Sequence, residues 1–260
     1  MLYSSLAQEA LPLNRLSTAQ LRVFLKGYPG DWRADTDRNK GVPSPAVLPP
    51  AGTLIPLPDV AELKLSPLSV LDAMKQRRSH RAFTDQSVTL EELGVLLWAA
   101  QGETVRNQDG NALRTVPSAG GRHPLDVYVV VNRVQELSSG VYRYYSEKHG
   151  VVPVDNLSDA GADLLACCYG QAAVGQAAAT LVWVAEPYRT EWKYGCLAHR
   201  MIAMEAGHSC QNVYLASEVL NLGMCAMLAY DQRKLDALLQ LDGRDRFAVY
   251  LAPVGKRSAP

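Results

Sequence analysis

Residues 114–132 read RTVPSAGGRHPLDVYVVVN, a loop of small residues that leads directly into a hydrophobic run. The β-branched and aromatic residues of DVYVVVN favour a buried strand. Gly120 and Gly121 would let the backbone approach a flat ligand closely, so that loop amides could reach its polar edge. The same glycines are also typical of an ordinary turn before a strand, and the residues alone leave both interpretations open.

Two segments upstream have clear helical signatures. TLEELGVLLWAAQG (89–102) begins with a capping box, in which Thr89 is followed three residues later by Glu92, and continues with leucines at helical spacing. SPLSVLDAMKQRRS (66–79) places Pro67 at a helix start. We therefore expect two helices before the first long strand.

The rest of the chain alternates irregularly between helix and strand patterns. The longest helical pattern runs from Glu191 to Leu222, with Gly223 as its stop signal, and residues 159–179 and 231–241 have shorter ones. Strand patterns occur in GVYRYY (140–145) and GVVPV (150–154), which should form a hairpin, and in ATLVWVAEP (179–187) and FAVYLAPVG (247–255). Strands scattered between unequal helices argue against a regular βαβ succession, and no GxGxxG motif follows a strand. We predict an α+β fold.

The composition is that of an enzyme-sized chain without a preferred charge. The 260 residues are 48% hydrophobic, and 26 basic residues balance 26 acidic ones, so the chain should not attract nucleic acid or anionic membranes in general. Five cysteines without CxxC spacing favour a reduced, cytoplasmic protein. We expect neither a signal peptide nor a membrane span. Residues 1–60 form a proline-rich extension, with a short helix expected from Ser17 to Gly27, and residues 61–260 form the globular domain.

A basic cluster follows the first helix of the globular domain. Arg77, Arg78, Ser79 and Arg81 place three guanidinium groups and a hydroxyl within five residues. Guanidinium groups suit bidentate contacts with phosphate, and a serine hydroxyl adds a short donor. The cluster therefore predicts a phosphate-binding site. Taken alone, it also fits a solvated helix end whose charges offset the helix dipole.

Several motifs together resemble one family. RRSHRAF, LEELGVLLWAAQG, RTVPSAGGRHPLDVYVV, EAGHSCQNVYLASEVLNLGMCAM, AYD and a terminal VGKR are similar, in this order, to the nitroreductase-like superfamily in its SagB-type dehydrogenase form. They cover the chain from about residue 66 to its end. The resemblance implies a nitroreductase-like fold with a central, mostly antiparallel sheet flanked by helices. It also implies an intertwined homodimer that holds FMN at its subunit interface.

The resemblance further implies roles for individual residues. Arg77 and Ser79, with Arg78 between them, resemble the contacts to the phosphate and ribityl groups, and Arg81 resembles the basic residue beside the flavin pyrimidine. Lys256 and Arg257 resemble a second pair of phosphate-binding cations. The loop along the isoalloxazine, supplied by the other subunit, is matched by Pro117, Ser118, Ala119 and Gly120. The two backbone amides that face the flavin N5 edge are matched by Leu228 and Ala229. Without the resemblance, Lys256 and Arg257 would be a frayed terminus.

The implied reaction is a ping-pong hydride transfer through flavin N5, with NAD(P)H as the donor and a small molecule as the acceptor. Two alternatives are an azoline (thiazoline or oxazoline) dehydrogenase of a peptide-modifying system and a flavin-binding module without turnover. Lys193 and Tyr194 resemble the catalytic Lys-Tyr pair of SagB-type azoline dehydrogenases. Cys196 and Leu197 depart from that pattern, and the pair also fits an amphipathic helix start with an exposed lysine.

Polar and cysteine residues elsewhere predict no metal site. Glu205, His208, Gln211 and Asn212 share helix faces, but with a single histidine they favour buried hydrogen bonding in the helix or a dimer interface. The adjacent Cys167 and Cys168 are expected as small core residues.

Overall fold

Seven strands of the chain form one antiparallel sheet. The computed structural model describes residues 52–107, 112–157 and 159–257, together with Lys26, Gly41 and Pro43. The strands in these residues are β1 (Ile55–Pro56), β2 (Glu103–Arg106), β3 (Ala112–Arg114), β4 (Leu125–Val131), β5 (Gly140–Tyr145), β6 (Gly150–Asn156), β7 (Ala179–Ala185), β8 (Leu222–Met224) and β9 (Phe247–Lys256). The sheet order is β1, β6, β5, β4, β7, β9, β8, and all neighbours are antiparallel. Strands β2 and β3 form a separate pair.

Helices cover both faces of the sheet. They are α1 (Val70–Gln76), α2 (Leu90–Gln101), α3 (Ala160–Cys167), α4 (Ala172–Gln176), α5 (Tyr188–Tyr194), α6 (Ala198–Val219) and α7 (Gln232–Leu238). The predicted capping box starts α2: the Thr89 hydroxyl accepts from the Glu92 amide at 3.1 Å, and the Glu92 carboxylate accepts from the Thr89 amide at 2.9 Å. None of the helices that the structure describes is long and apolar enough to span a bilayer.

The side chains of β4 show why the sheet is buried on both faces. Successive strand residues point to opposite faces. Val127 and Val129 pack in one core with α2 and α6, whereas Tyr128 and Val130 pack in a second core with α3 and α7. The run VYVVV (127–131) is hydrophobic throughout for this reason. The predicted α+β class with a central antiparallel sheet is confirmed, as is the hairpin of β5 and β6.

The predicted helix from Glu191 to Leu222 is wrong in its continuity. The chain forms α5 and α6, separated by Gly195 at φ 53° and ψ −134°, a conformation that glycine adopts without the strain a Cβ would cause. The long helix then ends at Val219, and Asn221 rather than Gly223 takes the left-handed turn, at φ 52°. Gly223 lies within β8.

Two other helix boundaries differ from the prediction. Pro67 precedes the first helix, because Ser69 is the N-cap and its hydroxyl accepts from the Asp72 amide. The pattern over 159–179 is interrupted where Tyr169 and Gly170 have positive φ, which divides it into α3 and α4. Cys167 and Cys168 are buried, as predicted. The helix predicted from Ser17 to Gly27 and most of the 1–60 extension lie outside the described residues.

Candidate functional site

The small-residue loop, residues 117–121, is closely packed against the end of α5. Gly120 and Gly121 have φ values of 61° and 63°. A Cβ at Gly120 would lie 2.6 Å from the Tyr194 hydroxyl and 3.0 Å from the Lys193 ammonium. Glycine at position 120 suits the positive φ, and any larger residue would displace the ends of the Lys193 and Tyr194 side chains. This contact places the two predicted catalytic residues beside the loop that is predicted to face the flavin.

Lys193 and Tyr194 differ in exposure. Lys193 is exposed, with its ammonium 5.6 Å from the centroid of the Tyr194 ring, and Tyr194 is half-buried against Gly120. They stand at the C-terminal end of α5, just before the break at Gly195. The structure thus places them at a loop surface and not along a continuous helix.

The loop borders a cavity of about 780 Å³. Its walls include Arg114 from β3, Pro117 and Ser118 from the loop, Arg122 after the loop, and Trp192 and Lys193 from α5. The cavity is large enough for an aromatic ligand of ordinary size. It is therefore the natural place for a substrate beside the loop.

A buried polar group supports the loop from behind. Glu205, on α6, is 3% exposed, and burial raises the pKa of its carboxyl to about 7 even though Ser118 hydrogen-bonds to it and Arg114 attracts it. The Ser118 hydroxyl in turn accepts from the His123 amide at 2.8 Å. The backbone of the loop is thus linked to an ionisable group on the central helix.

His123 is held as a neutral imidazole next to the loop. Burial and the nearby Arg114 lower its pKa to about 4. Its Nε2 lies 3.2 Å from the Ala112 carbonyl oxygen. Since it is uncharged at neutral pH, His123 adds no positive charge to this region.

The predicted phosphate site lies between α1 and the end of β9. The Arg77 guanidinium lies 5.2 Å from the centroid of the Tyr214 ring, and the Ser79 hydroxyl is 3.0 Å from the Tyr214 hydroxyl. Arg78 instead donates to the carbonyls of Lys75, Gln76 and Arg77, which is the helix-end role of the alternative interpretation. Arg81 is exposed and has no ion pair within the described residues.

The C-terminal cations join this site through the backbone. The Thr84 amide donates to the Lys256 carbonyl at 3.0 Å, and Phe83 pairs with Arg257 in an antiparallel bridge. The Lys256 ammonium pairs with Glu92, and the Arg257 guanidinium pairs with Glu218 at 2.8 Å. Lys256 is the last residue of β9. The alternative of a frayed terminus is therefore wrong. We call Arg77, Ser79, Arg81, Lys256 and Arg257 the cation cluster.

The small-residue loop and the cation cluster lie on opposite sides of α6. Asn212 faces the segment that leads into the loop, because its side-chain amide donates to the Thr115 carbonyl at 3.0 Å. Tyr214 faces the cluster through Ser79. Two residues along an α-helix turn it by about 200°. One copy of the chain therefore does not bring all the predicted cofactor contacts together.

Leu228 and Ala229 follow β8. Leu228 is 68% exposed and lines an apolar cavity of about 370 Å³ with Ile202, Phe247 and Tyr250 among its other walls. The Ala229 carbonyl accepts from the Gln171 amide group at 2.8 Å. In the part of the chain that the structure describes, neither the Leu228 nor the Ala229 backbone amide donates a hydrogen bond. Both amides are available to a ligand, as their predicted role requires.

Comparison with known proteins identifies the family of the chain. The model of the Nitroreductase family matches residues 74–256. The chain belongs to the nitroreductase family. A protein of Methanocaldococcus jannaschii assigned as a nitroreductase is 34% identical over 203 residues, which are 78% of this chain and 96% of that protein. The predicted superfamily is thereby confirmed, and the chain is a nitroreductase-family oxidoreductase.

Solved structures agree with this assignment. A protein of Ralstonia eutropha assigned as a nitroreductase is 28% identical, with a TM-score of 0.65 over 85% of this chain and 97% of that one. A chain of the Escherichia coli microcin synthetase McbBCD complex, bound to truncated pro-MccB17, has a TM-score of 0.60 at 17% identity, over 94% of this nitroreductase-family chain and 84% of its own. At this identity the second likeness shows a shared fold.

The structure adds residues that the sequence did not single out. Arg114 and His123 lie on either side of the small-residue loop in the sequence, and Trp192 precedes the Lys-Tyr pair. Their position next to these motifs could have identified them as candidate site residues. Tyr214 carried no such signal, because its contact with Ser79 spans 135 residues. Of the four polar residues considered on the long helix, Glu205 is buried and Asn212 is hydrogen-bonded, whereas His208 and Gln211 are exposed. The described residues contain no group of three potential metal ligands.

Proposed function

We propose that this nitroreductase-family chain is an FMN-dependent oxidoreductase that takes hydride from NAD(P)H and passes it to a small-molecule acceptor in a ping-pong cycle. The observation that carries the proposal is the cation cluster. The β-bridge between Phe83 and Arg257 brings two distant basic segments side by side. The His80 amide also donates to the carbonyl of Met224 in β8, the strand paired with the end of β9, at 2.8 Å.

The free charges of the cluster fit a phosphate group. Lys256 and Arg257 are already paired with carboxylates, whereas Arg77 and Arg81 have no ion pair within the described residues. The unpaired Arg77 guanidinium and the Ser79 hydroxyl are a suitable donor set for a phosphate dianion, and Arg81 remains for the other end of the flavin. We therefore assign the FMN phosphate to Arg77 and Ser79.

The remaining residues would orient the flavin ring. When bound, FMN supplies hydride exchange at its N5 atom. Arg81 would offset negative charge on the pyrimidine, and the unoccupied amides of Leu228 and Ala229 would donate to the N5 edge. The small-residue loop would cover the ring, with Gly120 allowing the close approach.

This arrangement requires a homodimer, because the loop and the cation cluster lie on opposite sides of α6. Exposed apolar side chains support the proposal: Leu71 and Met74 on α1 are 77% and 53% exposed, and Met204 on α6 is 57% exposed. Contiguous exposed apolar patches mark protein interfaces, and Leu71 and Met74 lie one turn apart on the same helix. In the proposed dimer, each cluster would face the loop of the partner.

A second candidate function is azoline oxidation in the manner of SagB-type dehydrogenases. The contact of Lys193 and Tyr194 with Gly120 favours it, because a base is needed beside the ring that accepts the hydride. An exposed lysine ammonium must first lose its proton to act as that base. The tyrosine hydroxyl, which lies against the loop, could exchange a proton at the same place.

Anaerobic titration distinguishes these functions. We expect purified protein to retain FMN and its visible flavin absorbance to bleach with NADPH or NADH. Bleaching by neither nucleotide, with oxidation of an azoline-containing peptide instead, would select the second candidate. Bound FMN that no donor reduces would indicate a flavin-binding module without turnover.

The cation cluster is tested by a double substitution. Arg77→Ala with Arg81→Ala should lower FMN affinity by at least about 100-fold, because two charge-assisted contacts are lost. The matched control is Arg233→Ala with Arg244→Ala, which removes two exposed arginines from the other side of the sheet. FMN affinity that is equal in both double variants would refute the assignment.

A further inference from the structure

We infer that the cavity beside the small-residue loop binds an anionic group of the substrate, a carboxylate or a phosphate, through Arg114, Arg122 and Lys193. The inference rests on the proposed function and specifies its substrate class. The cavity is distinct from the cation cluster, which lies across α6.

The cavity wall carries positive charge without a carboxylate. Arg114, Arg122 and Lys193 line it, and no aspartate or glutamate is among the described residues of the wall. None of these three cations forms an ion pair within the residues that the structure describes. A cavity lined in this way attracts anions.

The two arginines are held by neutral groups only. One Arg114 nitrogen donates to the Gln101 side-chain oxygen at 3.1 Å, while its Nε is buried without a hydrogen-bond partner in the described structure. Arg122 donates to the carbonyls of Arg189, at 2.7 Å, and Pro43, and its guanidinium lies 5.1 Å from the centroid of the Trp192 ring. Carbonyl and amide oxygens fix the positions of these guanidinium groups, and no carboxylate forms a direct ion pair with either of them within the described residues.

Buried arginines elsewhere in the molecule show the contrast. Arg143 and Arg189 both pair with the buried Asp126, at 2.8 and 2.9 Å. Because a buried charge loses its hydration, such a carboxylate is the usual compensation. Burial lowers the pKa of Arg114, although Asp126, Glu103 and Glu205 act in the opposite direction, and burial also lowers the pKa of Arg122. An anion in the cavity would give these two guanidinium groups the direct ionic partner that Arg143 and Arg189 have in Asp126.

The shape of the wall suits an aromatic acid. Trp192 offers a flat apolar surface, and Pro117 lies across the same cavity. Lys193 adds an exposed ammonium on a flexible side chain, which can adjust its position to the ligand. An aromatic ring could therefore pack on the wall while its carboxylate reaches the cations.

The test compares two ligands of the same shape. Dissociation constants of 4-nitrobenzoate and 4-nitrobenzamide are measured by calorimetry on FMN-saturated protein without an electron donor. We expect the acid to bind at least about tenfold more tightly than the amide, and this preference to weaken with added salt. In a parallel experiment, the affinities of the oxidised nucleotides NADP⁺ and NAD⁺ report whether the cavity takes a nucleotide 2′-phosphate instead.

Substitutions identify the residues. Lys193→Gln should reduce the preference for the acid over the amide to about threefold or less. Lys148→Gln, an exposed lysine away from the cavity, is the matched control. Arg122→Gln should reduce the preference for the acid further, but this substitution also removes buried hydrogen bonds that support the fold. The Lys193→Gln variant is therefore the one that tests the inference.

Each outcome has one meaning. A preference for the acid over the amide assigns the site to a carboxylate, and a preference only for NADP⁺ over NAD⁺ assigns it to a phosphate. Equal affinities in both comparisons, or an unchanged preference for the acid in Lys193→Gln, overturn the inference. Failure of the protein to bind FMN refutes the proposed function separately, because acid and amide can still be compared on flavin-free protein.

Discussion

Replacement of Glu205 by glutamine should remove a pH-dependent loss of stability. The folded protein raises the pKa of this carboxyl from 4.5 to about 7. Between these values the unfolded chain releases its proton while the folded chain keeps it, so stability falls as pH rises from about 4.5 to about 7. The shift corresponds to ~3 kcal/mol at most.

The physical cause is that the Glu205 carboxyl is almost fully buried but only partly hydrogen-bonded. Glu205 is 3% exposed, and its Oε1 has no hydrogen-bond partner in the described residues. Glutamine keeps an acceptor for the Ser118 hydroxyl and carries no proton that titrates in this range. The variant should therefore match the parent at low pH and exceed its stability at higher pH.

Urea unfolding at about pH 5 and about pH 8 measures this difference. We expect the Glu205→Gln variant to gain up to ~3 kcal/mol relative to the parent between these two conditions. Glu91→Gln, an exposed carboxylate on α2, is the control and should follow the parent at both. A pH dependence in the Glu205→Gln variant equal to that of the parent would show that Glu205 is already ionised in the folded state.

Two further substitutions test the support of the loop. Gly120→Ala should destabilise the protein by about 1–3 kcal/mol in urea unfolding and weaken FMN binding, because it adds a clash with Tyr194 to the strain of positive φ. Gly121→Ala has the same strain and open space around the added carbon, so an equal effect on FMN affinity would contradict the role of the contact. Asp126→Asn should cost about 3–5 kcal/mol, since it leaves paired arginines without their carboxylate. The exposed Asp85→Asn is its control, and a loss below about 1 kcal/mol in Asp126→Asn would be inconsistent with the network.

The sequence predicted those elements whose signals are local. The capping box of Thr89 and Glu92 located the start of α2, and continuous runs of β-branched and aromatic residues located β4 and β7. Glycine was less informative. Gly195 breaks the long helical pattern, yet Gly207 lies within α6 without interrupting it. The difference depends on what surrounds each glycine in the fold, which periodicity does not report.

The site was predictable in its parts and not in its assembly. The basic cluster and the small-residue loop were visible as motifs, and the resemblance assigned them to one cofactor. Their placement on opposite sides of α6 depends on the contacts of Asn212 and Tyr214, which come from tertiary packing. The charge of the cavity likewise depends on Arg114 and Arg122 meeting Lys193 across more than 70 residues of chain. No local sequence pattern indicates such a long-range contact.

The most direct test of the central claim is the flavin content of the protein at its mass in solution. Gel filtration with light scattering and absorbance detection should show one FMN per chain, in a peak with the mass of two chains. A monomer that stays colourless after incubation with excess FMN would contradict both the shared site and the cofactor.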